Sequence, residues 1–466
     1  MSDLSMTSDW VAEVLAGCLL APAPVLSTSV CWVRTDSRLV GLGDLFVCLV
    51  GERFDAHDFA HEVAFAGAVA LVVERRLPVD IPQYVVQDAR RALGVLAAAW
   101  RNLFDVKVLA VVGSNGKTTT KEMLASICRA QYGADDVLVT AGNLNNDIGV
   151  PHTLLCLRAN HRVAVVEMGM NHPGEIDYLA GLVRPDVVLL TNAQREHQEF
   201  MKTVEAVARE NGSAFAHLPK AGLAVFPAQT AFDGLWTDLS ADACCERFGV
   251  GGAFWFESTV RVAGEVVLHT PSGDVQVQPA FLGEHNFSNA EGAAAAAMGG
   301  GCSLSAVKQG LALFRPVKGR LEIVLHTDKV LLINDSYNAN PDSVNAASQV
   351  LAGLEERNTL LVLGDMGEVG ELSDVYHAEV GMQAKRLGVQ HVLALGSASR
   401  HTVNAFGEGA LHFDHIEELI EQVVQMMENG VWAVLVKGSR FMKMERVVEA
   451  LTVHLLQAEG KKSHAS

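Results

Sequence analysis

The sequence predicts an α/β protein of three domains: a small α/β N-terminal domain, a central P-loop domain with a doubly wound parallel sheet and an antiparallel sub-sheet, and a C-terminal Rossmann-like α/β domain. Three observations lead there. At 466 residues the chain is too long for one ordinary core and asks for roughly two to four. Unbroken apolar runs recur along its second and third parts with helical stretches between them, the form of parallel strands buried on both faces. Shifts of texture divide the chain into 1–104, 105–316 and 317–466.

The elements follow in order. Val11 to Val25 reads as an amphipathic first helix: it lacks a basic leader, carries Asp9 and Glu13 at its front, holds Pro22 and Pro24, and is too short to span a bilayer. LFVCLVG (45–51) and AVALVVE (68–74) are short strands, and ARRALGVLAAAWRNLF (89–104) is an Ala-rich helix leading out of the first domain. VKVLAVVG (106–113), RVAVVEMG (162–169) and DVVLLTNA (186–193) are buried strands of the central sheet. VRVAGEVVLHTPSGDVQVQ (260–278) alternates between turn residues, as antiparallel hairpins do. VLLIND (330–335), TLLVLGD (359–365), HVLALG (391–396) and WAVLVKG (432–438) supply a second parallel sheet, and GKKSHAS (460–466) is a polar tail.

Charge and cysteine usage narrow the partners. Lys plus Arg number 36 against 54 Asp plus Glu, a formal net charge of −18 that repels nucleic acid and anionic lipid surfaces. A phosphorylated ligand must therefore be held by a local cradle and metal ions. The eight cysteines form no Cys-x-x-Cys pair, which suits reduced thiols in a cytoplasmic protein.

The cradle is VVGSNGKTTTKEML (111–124), between a buried strand and a helix. Gly113 and Gly116 let the backbone turn so that N–H groups of Ser114, Asn115 and their neighbours point at phosphate oxygens, and the helix adds its positive end. Lys117 reaches the outer phosphates, Thr118 offers a hydroxyl to magnesium, and Thr119 completes the loop. Glu167 ends the next strand, at the edge where open sheets bind nucleotides, either as a magnesium ligand or as a solvated strand-end acid. His197 in TNAQREH is a second metal-ligand candidate or a structural loop histidine. TAGNLNNDIGVP (140–151) either makes turns or binds a polar substrate.

GSNGKTTT (113–120), VVEMGMNHPGEI (165–176), TNAQREH (191–197), GEHNFSN (283–289), the Gly319–Arg320 pair and INDSYNANPDS (333–343) resemble the Mur ligases in order and spacing, over nearly the whole chain. TDSR (35–38) and GERFDAHDF (51–59) resemble the uridine-nucleotide domain of two members. NANPDS (338–343), GDMGEVG (364–370) and VKGSR (436–440) are most similar to the branch that joins D-alanyl-D-alanine to UDP-N-acetylmuramoyl-tripeptide, and the Asp-Asn-Pro-Arg signature of relatives adding diaminopimelate is absent.

The resemblance implies ATP and Mg2+ as cofactors, small-molecule substrates and a monomer without membrane insertion. It implies that Ser37, Arg38, Asp55 and His57 face the UDP-sugar peptide, with Asn143, Asn146, Asn171 and His172 around the acceptor peptide and metals. Lys117 and Thr118 would hold triphosphate and magnesium, and Glu167 and His197 would complete two metal sites. Asn286 and Asn289 match the pair that meets adenine, Arg320 the group that reaches the phosphates, and Asp335 the ribose contact. Tyr337, Asn338 and Lys437 would lie near the incoming dipeptide. One departure stands out: many members carry a carbamylated lysine where VARENG (207–212) has Asn211. Either the Asn211 oxygen or a water then serves the second metal, or Glu210 swings in.

The expected chemistry is an acyl phosphate, made by phosphoryl transfer to a carboxylate and attacked by the dipeptide amine, with the third domain closing over the second. Three other readings compete: a relative adding a single amino acid, a P-loop kinase or ATPase, and a nucleotide-sensing module without turnover.

Overall fold

The computed structural model describes residues 6–24, 27–196, 198–240, 242–257, 264–354 and 357–463. Alternation along Lys107–Val112 shows why the central sheet forms. Val108, Ala110 and Val112 enter one apolar core and Leu109 and Val111 the other, so the strand is buried on both faces. Six parallel strands lie in the order Cys244–Phe248, Leu223–Pro227, Val187–Leu190, Lys107–Val112, Val163–Glu167, Val137–Val139. The first strand in the chain thus sits inside the sheet, and the connections leave it on both sides. That reversal opens a crevice at the carboxyl ends of Lys107–Val112 and its neighbours.

Helices Lys117–Tyr132 and Glu284–Gly299 cover one face of this sheet. Beyond them lies a three-stranded antiparallel sheet, Trp255–Phe256, Val266–His269 and Val275–Val277, as the alternating segment predicts. The other face shares its core with the N-terminal unit through helix Ala89–Arg101, whose Leu93, Leu96 and Trp100 pack with Val108 and Ala180. That unit carries four short parallel strands, Val33–Arg34, Leu45–Val47, Ala70–Val73 and Gln83–Val85.

The C-terminal sheet has six strands in the order Glu322–His326, Val330–Asp335, Trp432–Lys437, Asn358–Gly364, His391–Leu395, Ala410–Phe413. All are parallel except Glu322–His326, which folds back as a hairpin on Val330–Asp335. Leu331, Ile333, Leu361 and Leu363 face one helix layer and Val330, Leu332, Leu360 and Val362 the other.

The first helix is shorter than its apolar run suggests. It spans Ser8–Leu15, capped by the Thr7 hydroxyl accepting the Trp10 N–H. The chain turns at Gly17, Leu19 bridges to Val86, and Pro22 and Pro24 lie outside any helix or strand, where their missing N–H breaks no ladder; Val25 lies outside the described residues. Among the described residues no helix is long and apolar enough to cross a membrane.

Candidate active site

A cleft of about 350 Å³ lies between the central and C-terminal sheets. Its floor is the phosphate loop. Gly113 and Gly116 have φ of +126° and +82°, where a side chain is strained. A Cβ at Gly113 would also strike the Thr191 hydroxyl, and one at Gly116 the Asn289 amide. The segment leaving Val187–Leu190 braces the loop. Asn192 Oδ1 accepts the Asn115 N–H at 2.9 Å, its Nδ2 donates to Asn115 O at 3.0 Å, and the Gln194 N–H donates to Ser114 Oγ at 2.9 Å. Lys117 Nζ curls back onto Gly113 O, Ser114 O and Glu196 Oε2, the last at 3.2 Å. Glu196 went unnoticed in the sequence beside the more conspicuous histidine. His197 itself lies outside the described residues.

Thr118 and Glu167 meet, the hydroxyl donating to Glu167 Oε1 at 3.2 Å, with Thr119 buried alongside. Asn145 Nδ2 also donates to that oxygen, at 2.8 Å. The buried Glu167 Oε2 has no hydrogen-bond partner, and the ammonium of the buried Lys121 stands 3.6 Å from it. Lys121 is fixed in turn by the carbonyls of Thr140 and Gly142 at 2.8 and 2.9 Å, tying the asparagine loop to the helix. Of the asparagines singled out, Asn143 lines the cleft. The amide of Asn146 is turned to the backbone instead. Its oxygen accepts the Ile148 and Gly149 N–H groups at 3.3 and 2.9 Å, at the start of helix Gly149–Leu155.

Asn211 is buried, and its oxygen accepts the Gly113 N–H at 2.9 Å while its Nδ2 donates to Val207 O at 3.1 Å and faces Glu196 Oε1 at 3.5 Å. One lone pair of this oxygen, expected to serve the second metal, is thus turned to the phosphate loop. Glu210 does not take its place here, because its Oε1 accepts the Gly174 and Ile176 N–H groups at 2.9 and 3.0 Å, at the start of helix Glu175–Val183. Among the described residues no three His, Cys, Asp or Glu side chains cluster so as to hold a metal by themselves. The Thr118 hydroxyl and the Glu167 carboxylate, whose Oε2 accepts no hydrogen bond though Lys121 stands nearby, are oxygen donors of the kind that fit a hard cation.

The far wall combines both units. Asn289 Nδ2 donates to Asn286 Oδ1 at 3.1 Å, and Asn286 Nδ2 to Leu282 O at 2.8 Å. His285 also lines the wall, and burial pushes its imidazole down to about 4, so it is uncharged at neutral pH. From the C-terminal side Arg320 Nη2 donates to Thr118 Oγ1 at 3.0 Å, its guanidinium lying 4.1 Å over the Tyr337 ring. Asp335 Oδ2 accepts from Lys437 Nζ at 2.6 Å, and Lys437 donates to Asn338 O at 2.9 Å. Asn340, unnoticed in sequence, caps helix Pro341–Ala352 and donates to Asn115 Oδ1 at 2.9 Å.

The N-terminal candidates stand apart from this cleft. Arg38 is exposed and held on Asp36 by bonds of 2.8 and 2.6 Å, beside Ser37 in a short turn. Asp55 binds Arg75 at 2.8 Å. Burial raises its pKa, but the His57 N–H and the Arg75 guanidinium hold it down at about 2. His57, expected to face the UDP-sugar peptide beside Asp55, has a buried ring: Nε2 accepts the Glu74 N–H at 2.9 Å and Nδ1 meets Asp55 Oδ1 at 2.6 Å. Its backbone N–H also donates to Asp55 Oδ1, at 3.0 Å. Asn171 and His172 are exposed around Glu175, whose carboxylate accepts both their backbone N–H groups.

Comparison with known proteins places the fold in a family. Residues 111–297 match the Mur ligase middle domain and residues 319–440 the Mur ligase, glutamate ligase domain. The UDP-N-acetylmuramoyl-tripeptide–D-alanyl-D-alanine ligase of Escherichia coli is 41% identical over 96% of this chain and 98% of its own. That of Bacillus subtilis is 32% identical over 95% of this chain and 97% of its own. A crystal structure of MurF from Acinetobacter baumannii superposes with a TM-score of 0.90 at 35% identity, covering 97% of this chain and 99% of that one. MurF from Thermotoga maritima in complex with ADP gives 0.82 at 26% identity, covering 92% and 98%.

Proposed function

The chain belongs to the Mur ligase family, and from that membership we infer that it is the ATP-dependent, ADP-forming ligase joining D-alanyl-D-alanine to UDP-N-acetylmuramoyl-tripeptide, which yields the pentapeptide precursor of peptidoglycan. The observation that carries this is likeness along almost the full length of ligases with that specificity.

The chemical problem is that a carboxylate is a poor electrophile. Transfer of the terminal phosphoryl group of ATP to the tripeptide carboxylate forms an acyl–oxygen–phosphorus linkage. The dipeptide amine then attacks the acyl carbon, phosphate leaves with the bonding pair, and the amine proton passes to solvent or a nearby base. The protein's part is positioning and charge neutralisation. Lys117 gives up its loop carbonyls for phosphate oxygens, and Arg320, stacked on Tyr337, approaches the same charge from the other side. Magnesium, held at Thr118 and Glu167, would offset the negative charge of the phosphates when bound. Asn286, Asn289 and the uncharged His285 form a polar wall for the base, and Asp335 offers a carboxylate to the ribose. Ser37, Arg38 and Asp55 in the 1–104 domain receive the uridine diphosphate end, Asn143 the peptide arm. Asn338 and Lys437 in the 317–466 domain receive the dipeptide.

The scattered cysteines, all free, and the nucleotide substrates suit a cytoplasmic enzyme. The test is phosphate release from ATP with UDP-N-acetylmuramoyl-tripeptide present and D-alanyl-D-alanine added or withheld. Release requiring both, with a matching mass gain on the UDP-peptide, is expected. Release supported by a single amino acid instead would reassign the substrate.

A further inference from the structure

Three consecutive residues after Val187–Leu190 face two ways. Gln194 and Glu196 hold the phosphate loop: Gln194 Oε1 accepts from Asn115 Nδ2 at 2.6 Å, and Glu196 Oε2 accepts from Lys117 Nζ at 3.2 Å. Arg195, between them, turns to the C-terminal unit. Its backbone N–H donates to Asp342 Oδ2 at 2.9 Å, and its Nη2 to Asp342 Oδ1 at 2.6 Å. Its Nη1 and Nη2 reach the Glu379 carboxylate at 2.8 and 2.9 Å, and its guanidinium lies 5.3 Å from the Tyr376 ring centre. Asp342 stands in the first turn of helix Pro341–Ala352, and Glu379 on helix Ser373–Leu387.

We propose that Arg195 is a positioning residue, a latch that locks the C-terminal unit onto the central sheet and passes that docking to Lys117 through its two sequence neighbours. The inference rests on the ligase function above. An arginine bracketed by two carboxylates, each held through paired N–H groups, is the strong form of ion pair. The side chains are only about a quarter exposed, at 23%, 23% and 32% for Arg195, Asp342 and Glu379, so water screens the attraction incompletely. Asn340, at the cap of the same helix as Asp342, touches Asn115 in the loop, so helix Pro341–Ala352 docks at two points. Without the guanidinium, two carboxylates would face an empty gap, and their repulsion would favour opening. Closure also brings Arg320 onto Thr118, so a loosened latch displaces charge-neutralising groups on both sides of the phosphates.

The experiment compares wild type, Arg195→Ala, Glu379→Gln and the double variant by steady-state kinetics and by small-angle scattering with a non-hydrolysable ATP analogue. Glu379 is partly exposed on a helix surface, so Glu379→Gln tests the latch even where Arg195→Ala folds poorly. For Arg195→Ala, kcat should fall about ten- to hundredfold, with KM for the UDP-peptide changed less than about twofold. The analogue-bound radius of gyration should exceed that of wild type. Glu379→Gln should show a smaller loss in the same direction, and the double variant should be no worse than Arg195→Ala, because the two side chains act as one pair. Wild-type kcat and compaction in Arg195→Ala, or losses that simply add, would overturn the proposal. If wild type shows no dipeptide-dependent phosphate release, the ligase reading fails instead, while the scattering comparison still decides the latch.

Discussion

Arg320 and Thr118 lie 202 positions apart in the chain, yet the guanidinium of the first donates to the hydroxyl of the second at 3.0 Å. The contact joins the C-terminal sheet to the first turn of the helix that follows the phosphate loop. The guanidinium carbon lies over the Tyr337 ring, 4.1 Å from its centroid. Lysine keeps the charge but neither the stack nor the planar fork. Arg320→Lys should therefore lower kcat by about two orders of magnitude while Tm stays near wild type. Unchanged turnover would remove Arg320 from the phosphate-binding set.

Lys117 is the loop's own cation, resting on Gly113 O, Ser114 O and Glu196. Lys117→Ala should cut phosphoryl transfer by about a hundred- to a thousandfold and leave UDP-peptide binding intact. Arg38→Ala should do the reverse, raising KM for the UDP-peptide with little change in kcat, since Arg38 is exposed and rests on Asp36, apart from the cleft. Calorimetric titration with the UDP-peptide separates the two.

At Asn211 a neutral amide replaces a chargeable amine, and no carbamate can form there. Activity should be the same in carbon-dioxide-stripped buffer and with added bicarbonate; reversible loss on stripping would point to another lysine. Asn211→Ala strips the Gly113 N–H of its buried acceptor, which costs about 1–3 kcal/mol. Chemical unfolding of the two forms measures it.

Glu291 is buried under the antiparallel sheet, its Oε1 accepting the Phe256 N–H at 2.8 Å. Burial raises its pKa from the ordinary 4.5 to about 7, with that N–H pulling the other way. A carboxylate whose folded pKa is raised binds its proton more tightly in the folded state. Its penalty is absent below 4.5, grows as pH rises, and is complete above about 7. Glu291→Gln keeps an acceptor for Phe256 without the charge. It should stabilise the protein by up to about 3 kcal/mol at alkaline pH and have little effect near pH 4.5. Thermal unfolding at both pH values shows it, and an equal shift at both would refute the assignment.

Much of the fold was legible from residue pattern because burial on two faces leaves an unbroken apolar run. Lys107–Val112 and Trp432–Lys437 are such strands. Cys244–Phe248 was not legible: it lies at the edge of the sheet, half-buried, with Glu246 and Arg247 breaking the run. Glu322–His326 hid for the same reason, as an antiparallel edge strand with only partly covered side chains. In the site, the glycine loop was readable because its geometry demands particular residues at fixed spacing. The partners of Arg195 were not, since Asp342 and Glu379 come from elements far along the chain. His57 is similar: Asp55 lies two residues away, but the Glu74 N–H that meets the other ring nitrogen is 17 residues away.

The acyl phosphate is tested most directly by an oxygen isotope placed in the terminal carboxylate of UDP-N-acetylmuramoyl-tripeptide. If the carboxylate is phosphorylated before the dipeptide amine attacks, one labelled oxygen leaves with each inorganic phosphate, and the amide product retains the other. Phosphate released without label, alongside authentic pentapeptide, would contradict the acyl phosphate and require a different use of ATP in this cleft.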